Sequence, residues 1–338
     1  LGIRRPATLE ARDIASRFLS AGVQTIVFAR SRLATELLVT YLRQAGPQAG
    51  FSPDEVRGYR GGYLPGERRA IERGLREGTV RGVVATNALE LGIDIGQLSA
   101  AVLTGYPGSI ASAWQQAGRA GRRADVSAAV FVAGASPLDQ FIVEHPQYFF
   151  GRSPERALVA PDNLAIALAH LRCAAFELPM LEDEQLGRFD ATQEVLAVLA
   201  EEGTVRLSGR RWHWMSEAYP ATGVSLRAAG TDAFTIQARD ASDDEPRVIG
   251  QLDRFSVPLL LYPDAVYIHE GQSYLVESLD WERGLAGVRQ ADLDYYTEAN
   301  ISSDIAIAAV YGAGVEGSLT KCHGQATVTS KATGYKKI

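Results

Sequence analysis

The constraint that most narrows the fold is an alternation running through residues 1–151, in which short apolar runs are separated by longer stretches with apolar residues at helical spacing. Ala11, Ile14, Ala15, Phe18 and Leu19 fall on one face of a helix that Gly22 stops, and Thr25 to Phe28 follows as a strand. Ser31 is placed to cap the next helix, whose Leu37, Leu38, Tyr41 and Leu42 share a face until Gly46 and Pro47 break it. Val56 to Tyr59 reads as a strand, Pro65 to Glu77 as a helix opened by proline and closed by Gly78, and Val80 to Ala85 as a buried strand. Strand Ala100 to Thr104, helix Ile110 to Ala117 and strand Ala128 to Ala133 complete the series. Strands separated by helices of this length demand crossover connections, hence a parallel sheet with helices on both faces. Such sheets bind ligands at the carboxyl ends of their strands, so the loops after Phe28, Tyr59, Ala85 and Thr104 are where chemistry is expected.

Four segments of distinctive composition fall near those loops. In TIVFARSR, Ser31 and Arg32 stand at a helix N-terminus, where unpaired N–H groups and the helix dipole favour an anion. In the segment opening YRGGYLPGERR, Gly61 and Gly62 would let the backbone come close to a phosphate. VVATNALELGIDI puts Thr86, Gly92 and Asp94 on one strand exit, and QQAGRAGRR spaces Arg119 and Arg122 three apart with glycines between. Residues 1–151 carry 17 Arg against 13 acidic residues, and every lysine lies at Lys321 or later, a bias that suits an anionic ligand or reflects genome-wide codon usage. Guanidinium forks suit bidentate contact with phosphate. A bland reading stands beside each assignment. The arginines could form surface ion pairs, Asp94 could cap a turn, Ser31 could serve only as a helix cap, and Gly61 and Gly62 could be ordinary turn glycines.

Beyond residue 151 the pattern changes. Asn163 to Phe176 and Ala191 to Glu202 are amphipathic helices, with a weaker one at 183–187, and a hairpin joins Thr204 to Leu207 with Arg211 to Met215. Helices leading into a two-stranded wing outline a winged-helix module. Trp212 and Trp214 share one face of that wing, while His213 with Arg210 and Arg211 forms a polar edge. From about Val224 onward the chain is mainly β, with alternation in Phe234 to Gln237, Ala265 to Ile268 and Ser273 to Val276. The expected division is therefore 1–151, 152–220 and 221–338, an α/β sheet domain, a winged helix and a β-rich domain. Two cysteines, Cys173 and Cys322, exclude a disulfide framework and a closed cysteine-only zinc site. His170 and Cys173 are expected in a helix core rather than on a metal, and Trp114 as a packing residue rather than a base-stacking one. No run approaches the roughly 18 apolar residues of a membrane span, and no secretory signal opens the sequence, so a cytoplasmic protein without membrane contact is expected.

In this order and spacing the four segments resemble motifs IV, IVa, V and VI on the second RecA-like lobe of a superfamily 2 helicase; QxxGRxGR and T-x5-G-x-D are the specific elements. Downstream, HLRCAAFELP, DRFSVPLLLYPDAVYIHEGQSYLVESLD and VTSKATGYKKI resemble the bacterial mitomycin repair factor type of helicase, related to fungal RecQ4-like enzymes. The resemblance implies an ATP-dependent DNA helicase using ATP and Mg, moving 3′ to 5′ on single-stranded or tailed DNA in repair. It makes Arg122 the arginine finger, Arg119 its support and Gln115 a group orienting water or phosphate. Gly92 and Asp94 would face the nucleotide, and Ser31, Arg32, Gly61, Gly62 and Thr86 the nucleic-acid backbone. It also implies parts this sequence does not contain: a first RecA-like lobe with its Gly-Lys-Ser/Thr loop, and a four-cysteine zinc cluster, of whose MZB-type domain only the start is expected here. This segment alone is accordingly expected to be inactive and to hold no zinc. An RNA helicase and a noncatalytic DNA-binding scaffold are the alternatives, and oligomeric state is left open.

Overall fold

The structure, a computed structural model, describes residues 5–91, 95, 98–121, 126–157, 163–224, 233–239 and 246–338. Packing divides the chain into two units, one formed by residues 1–155 with 233–338 and the other by residues 156–232.

The first unit begins with α1 (Ala7–Ser20), β1 (Thr25–Phe28), α2 (Arg32–Ala49), β2 (Val56–Tyr59), α3 (Pro65–Glu77), β3 (Gly82–Ala85), β4 (Ala100–Thr104), α4 (Ile110–Ala117) and β5 (Ala128–Val132). The five strands pair in the order β2-β3-β1-β4-β5, all parallel, with Thr25 opposite Gly82 on one side and Ala100 on the other. Successive strand residues point to opposite faces, so each strand supplies two cores. Val27, Val84 and Val102 pack with Ala11, Ala15, Leu38 and Leu42 of α1 and α2. Ile26, Phe28, Val83 and Leu103 pack with Ile71, Leu75 and Ala113 of α3 and α4. Buried on both faces, the strands need no polar alternation, which is why they read as continuous apolar runs.

The expected break of α2 at Gly46 and Pro47 does not occur. The helix runs on to Ala49 and closes at Gly50, in the left-handed region, whose N–H reaches the Gly46 carbonyl. Gly46 is instead a packing position: a Cβ there would lie 2.8 Å from the Phe51 carbonyl oxygen. After β5 come two short helices that periodicity does not reveal, α5 (Pro137–Glu144) and α6 (Pro146–Gly151), each opened by a proline.

In the second unit, α7 (Leu164–Glu177) is capped by Asn163, whose side chain accepts from the N–H groups of Ala165 and Ile166. It is followed by β6 (Met180–Leu181), α8 (Thr192–Glu201), β7 (Val205–Ser208) and β8 (Arg211–Trp214). The expected two-stranded wing is three-stranded, in the order β6-β8-β7. The weak helix expected at 183–187 is absent. Thr192 instead accepts from the Leu186 N–H and donates to the Phe189 carbonyl, satisfying a turn there. Trp212 lies in the core with Leu171, Leu196 and Leu199, its indole N–H on Gln193.

The chain then rejoins the first unit. β9 (Ala233–Arg239), β10 (Arg247–Asp253), β11 (Val266–His269), β12 (Gln272–Asp280) and β13 (Leu285–Gln290) form a sheet ordered β10-β9-β13-β12-β11, antiparallel except for the β9–β13 pair. Phe234, Ile236, Val276 and Val288 fill its core. Last is a long antiparallel hairpin, β14 (Thr297–Glu316) and β15 (Leu319–Lys337), most of whose residues are exposed, Cys322 among them. Among the described residues no helix is long and apolar enough to cross a membrane, and no group of three or more His, Cys, Asp or Glu is placed to hold a metal.

Candidate functional site

At the carboxyl ends of β1, β3 and β4 lies a cavity of about 280 Å³ with a largely polar wall, to which Arg30, Thr86, Asn87, Thr104, Ser112 and Gln116 contribute. Each is placed by local structure. Arg30 sits between the end of β1 and Ser31, whose hydroxyl caps α2 by accepting from the Ala34 N–H at 3.1 Å. Thr86 ends β3 and caps the next turn through the Ala88 N–H, while its own N–H donates to the Tyr59 carbonyl. The hydroxyl of Thr104, at the end of β4, is buried and has no hydrogen-bond partner among the described residues. Arg30 is exposed and forms no ion pair among the described residues, so the cavity presents a guanidinium beside the unfilled Thr104 hydroxyl. That combination suits an anionic ligand rich in acceptor oxygens.

The rear wall is a bracket between the segment after β3 and α4. Glu90 Oε2 accepts from the Ser112 hydroxyl at 2.7 Å and from the Gln116 amide at 3.1 Å. The Glu90 carbonyl accepts in turn from the Arg119 guanidinium, through Nε at 2.9 Å and through Nη2. Arg119 is thus buried and spent on holding this turn, while Gln115 is exposed and its neighbour Gln116 faces the cavity. Arg122, Gly92 and Asp94 lie outside the described residues.

The N-terminus of α4 is closed by the Glu155 carboxylate, which accepts from the Ile110 N–H at 2.7 Å and the Ala111 N–H at 3.0 Å. These two bonds hold its pKa below the ordinary carboxylate value. Farther along α4, Trp114 stacks on Phe149 with ring centroids 5.0 Å apart, a helix-packing role although the indole is 45% exposed.

Two residues expected from sequence at a nucleic-acid backbone, Arg32 and Gly62, contact this chain's own β-rich sheet. Arg32 donates to Asp253 at 2.8 Å. The Gly62 carbonyl accepts from the Gln251 N–H at 2.9 Å, and a Cβ on Gly62 would come within 2.8 Å of the Gln251 oxygen. Gly61 lies against the Arg32 guanidinium. At Gly62 the close approach that a glycine permits is to β10. Thr86 and the Ser31 cap remain at the strand ends. Arg30, Asn87, Thr104, Ser112 and Gln116 were not singled out from sequence, although the strand-exit rule already pointed to the positions just after Phe28, Ala85 and Thr104.

Comparison with known proteins agrees with this architecture. Residues 10–124 match the helicase conserved C-terminal domain, and residues 159–229 the winged helix domain of the ATP-dependent helicase HRQ1. The chain is 49% identical over 339 residues to the ATP-dependent helicase YprA of Bacillus subtilis (strain 168), covering all of this chain and 45% of that protein. It is 32% identical to the ATP-dependent helicase hrq1 of Schizosaccharomyces pombe, covering 99% of this chain and 31% of that one. The chain thus spans less than half the length of the curated relatives it matches. Among solved structures, the DUF1998 helicase MrfA bound to DNA superposes with a TM-score of 0.76 at 49% identity, over 99% of this chain and 44% of MrfA. MrfA bound to DNA and AMPPNP gives the same TM-score at 48% identity. The parallel sheet with its strand-end motifs, the winged helix and the β-rich sheets together make this chain a C-terminal portion of a superfamily 2 helicase.

Proposed function

We propose that this chain is part of an ATP-dependent DNA helicase, and that the strand-end cavity of its parallel sheet grips the sugar–phosphate backbone of one strand. The observation that carries the reading is the cavity itself. Unpaired Arg30, the unsatisfied Thr104 hydroxyl and Thr86 converge where a doubly wound sheet binds its ligand. Such contacts address phosphate rather than bases, so the grip is indifferent to sequence. DNA rather than RNA is favoured because the solved relative at 49% identity is bound to DNA.

ATP is the substrate that drives the cycle, held between this lobe and a first RecA-like lobe supplied elsewhere in the whole protein, which also brings the Mg ligands. Gly92 and Asp94 face the nucleotide. Arg122 reaches the γ-phosphate, where charge redistributes as the phosphoryl group transfers. The bracket of Arg119 on the Glu90 carbonyl ties the motif VI helix to the turn leading into Gly92 and Asp94, so nucleotide contact and strand contact share one rigid wall. Alternate closing and opening of the two lobes then moves the gripped strand, 3′ to 5′ and in repair, in a cytoplasmic setting.

The test is the salt dependence of binding to a fluorescent oligothymidine. Affinity should fall steeply with salt, and Arg30→Ala should weaken binding about tenfold and reduce the log–log slope by about 0.7, one phosphate contact on a single strand. An unchanged slope in Arg30→Ala, or tighter binding to RNA of matched sequence, would overturn the assignment.

A further inference from the structure

Between the parallel sheet and the β-rich sheet lies a seam built from charge rather than from apolar surface. At its centre Glu36 and Arg60 are each 1% exposed and pair at 2.6 Å. Both Glu36 carboxylate oxygens and all three Arg60 nitrogens are hydrogen-bonded. Glu36 Oε1 also accepts from the Tyr63 hydroxyl at 2.9 Å, and Oε2 from the Gly271 N–H at 3.1 Å. Arg60 donates to the Ile268 carbonyl at 2.9 Å, the Tyr267 hydroxyl at 3.2 Å and the Gly61 carbonyl at 3.2 Å. Burial pushes the Arg60 pKa down, but Tyr267, Glu36 and Tyr63 outweigh it and hold the guanidinium above its ordinary value. At the solvent edge Glu270 receives Arg43 at 3.1 Å and Arg57 at 2.9 Å.

A buried ion pair is a poor way to gain stability, since apolar side chains of similar volume do as well. What it gives is registry, because hydrogen bonds this numerous around one buried pair are made together in only one arrangement. The residues it registers are those next to the grip. Glu36 stands just over one helical turn beyond Ser31 on α2, and Arg60 follows Tyr59, whose carbonyl holds the Thr86 N–H. The pair therefore fixes the spacing between the α2 N-terminus, with Arg30 before it, and the Thr86 turn, and it fixes both to Tyr267, Ile268 and Gly271.

We infer that Glu36 and Arg60 are positioning residues for the DNA grip, through which the β-rich sheet sets the geometry of the strand-end cavity. The inference rests on the helicase reading and predicts a split that a merely structural role would not produce.

The test uses the full-length helicase carrying Glu36→Leu with Arg60→Met, which removes both charges together and so leaves none stranded. The DNA concentration for half-maximal ATPase stimulation should rise about tenfold, while kcat at saturating DNA and KM for ATP each change by less than about twofold. Glu270→Gln, which removes the charge and keeps an oxygen to accept from Arg43 and Arg57, should move the DNA requirement the same way by about threefold. Arg289→Ala, in an exposed pair with Glu277 on the β-rich sheet, is the control and should move nothing. An unchanged DNA requirement in both seam variants, or equal falls in kcat and DNA affinity, would overturn the positioning role alone. A wild-type enzyme whose ATPase ignores DNA would take down the helicase reading and the inference with it.

Discussion

Glu90→Ala removes the acceptor that locks α4 to the turn after β3, and its cost can be worked from two bonds. The carboxylate takes the Ser112 hydroxyl at 2.7 Å and the Gln116 amide at 3.1 Å. Ser112 is half-buried and can turn to water. Gln116 is 6% exposed and keeps only a long 3.5 Å contact with the Ser112 hydroxyl. A buried donor left without its partner costs about 1–3 kcal/mol, so the substitution should destabilise the fold by about 2 kcal/mol. At about 2–4 °C per kcal/mol for a domain of this size, that is a fall of about 4–8 °C in Tm. Glu90→Gln keeps a neutral acceptor and should lose roughly half as much. Arg119 holds the main-chain carbonyl, which alanine retains, so its anchor should survive. A double-mutant cycle with Gln116→Ala, read by urea denaturation, should show a coupling of about 1 kcal/mol. Additive effects in that cycle, or a loss below about 0.5 kcal/mol for Glu90→Ala, would refute the bracket.

Two further outcomes are expected. In the full-length enzyme Arg122→Ala should lower kcat at least about 10³-fold while leaving ATP affinity within about tenfold, because the finger meets charge that develops only in the transition state. Lysine should restore little, Arg119→Ala should be comparably harmful, and Arg123→Ala mild; small, equal effects at all three would mean that these arginines are surface charge. The contact of Glu155 with α4 should depend on pH in one direction. Because hydrogen bonds from Ile110 and Ala111 hold the folded carboxyl below its ordinary 4.5, the contact is fully present above that value and is lost as pH falls through the lowered one. The Ile110 and Ala111 amide resonances should titrate with a midpoint under 4.5, and Glu155→Gln should abolish the titration; a midpoint at or above 4.5 would contradict the geometry.

The parallel sheet was legible because its signals are local. Apolar runs such as Val83 to Ala85 and stops such as Gly78 announce themselves within a few residues of where they act. Proline at position 47 misled for the same reason, since a helix that keeps its packing tolerates one missing donor. The seam was not legible. Arg32 finds Asp253 at a separation of 221 positions, and Arg60 finds Tyr267 at 207, distances across which no periodicity carries information. Glu36 was hidden differently, because a lone carboxylate ahead of Leu37 and Leu38 reads as the wet side of an amphipathic helix. Arg32 stands at a helix N-terminus suited to an anion, and in the structure it holds a carboxylate of the same chain.

The meeting of Gly62 with β10 has an evolutionary consequence. Gly62 stands at φ 107°, where side chains are rarely accepted, and a Cβ on Gly250 would lie 2.7 Å from the Gly62 carbonyl oxygen. Gly250 admits the Gly62 carbonyl, and Gly62 admits the carbonyl of Gln251 beside it. A mutation at either one is therefore judged against its counterpart nearly two hundred residues away, and neither site has a neutral path of its own. The loop after β2 and strand β10 should be inherited as a pair: a recombinant that exchanged the β-rich sheet without that loop would join two surfaces shaped for different neighbours.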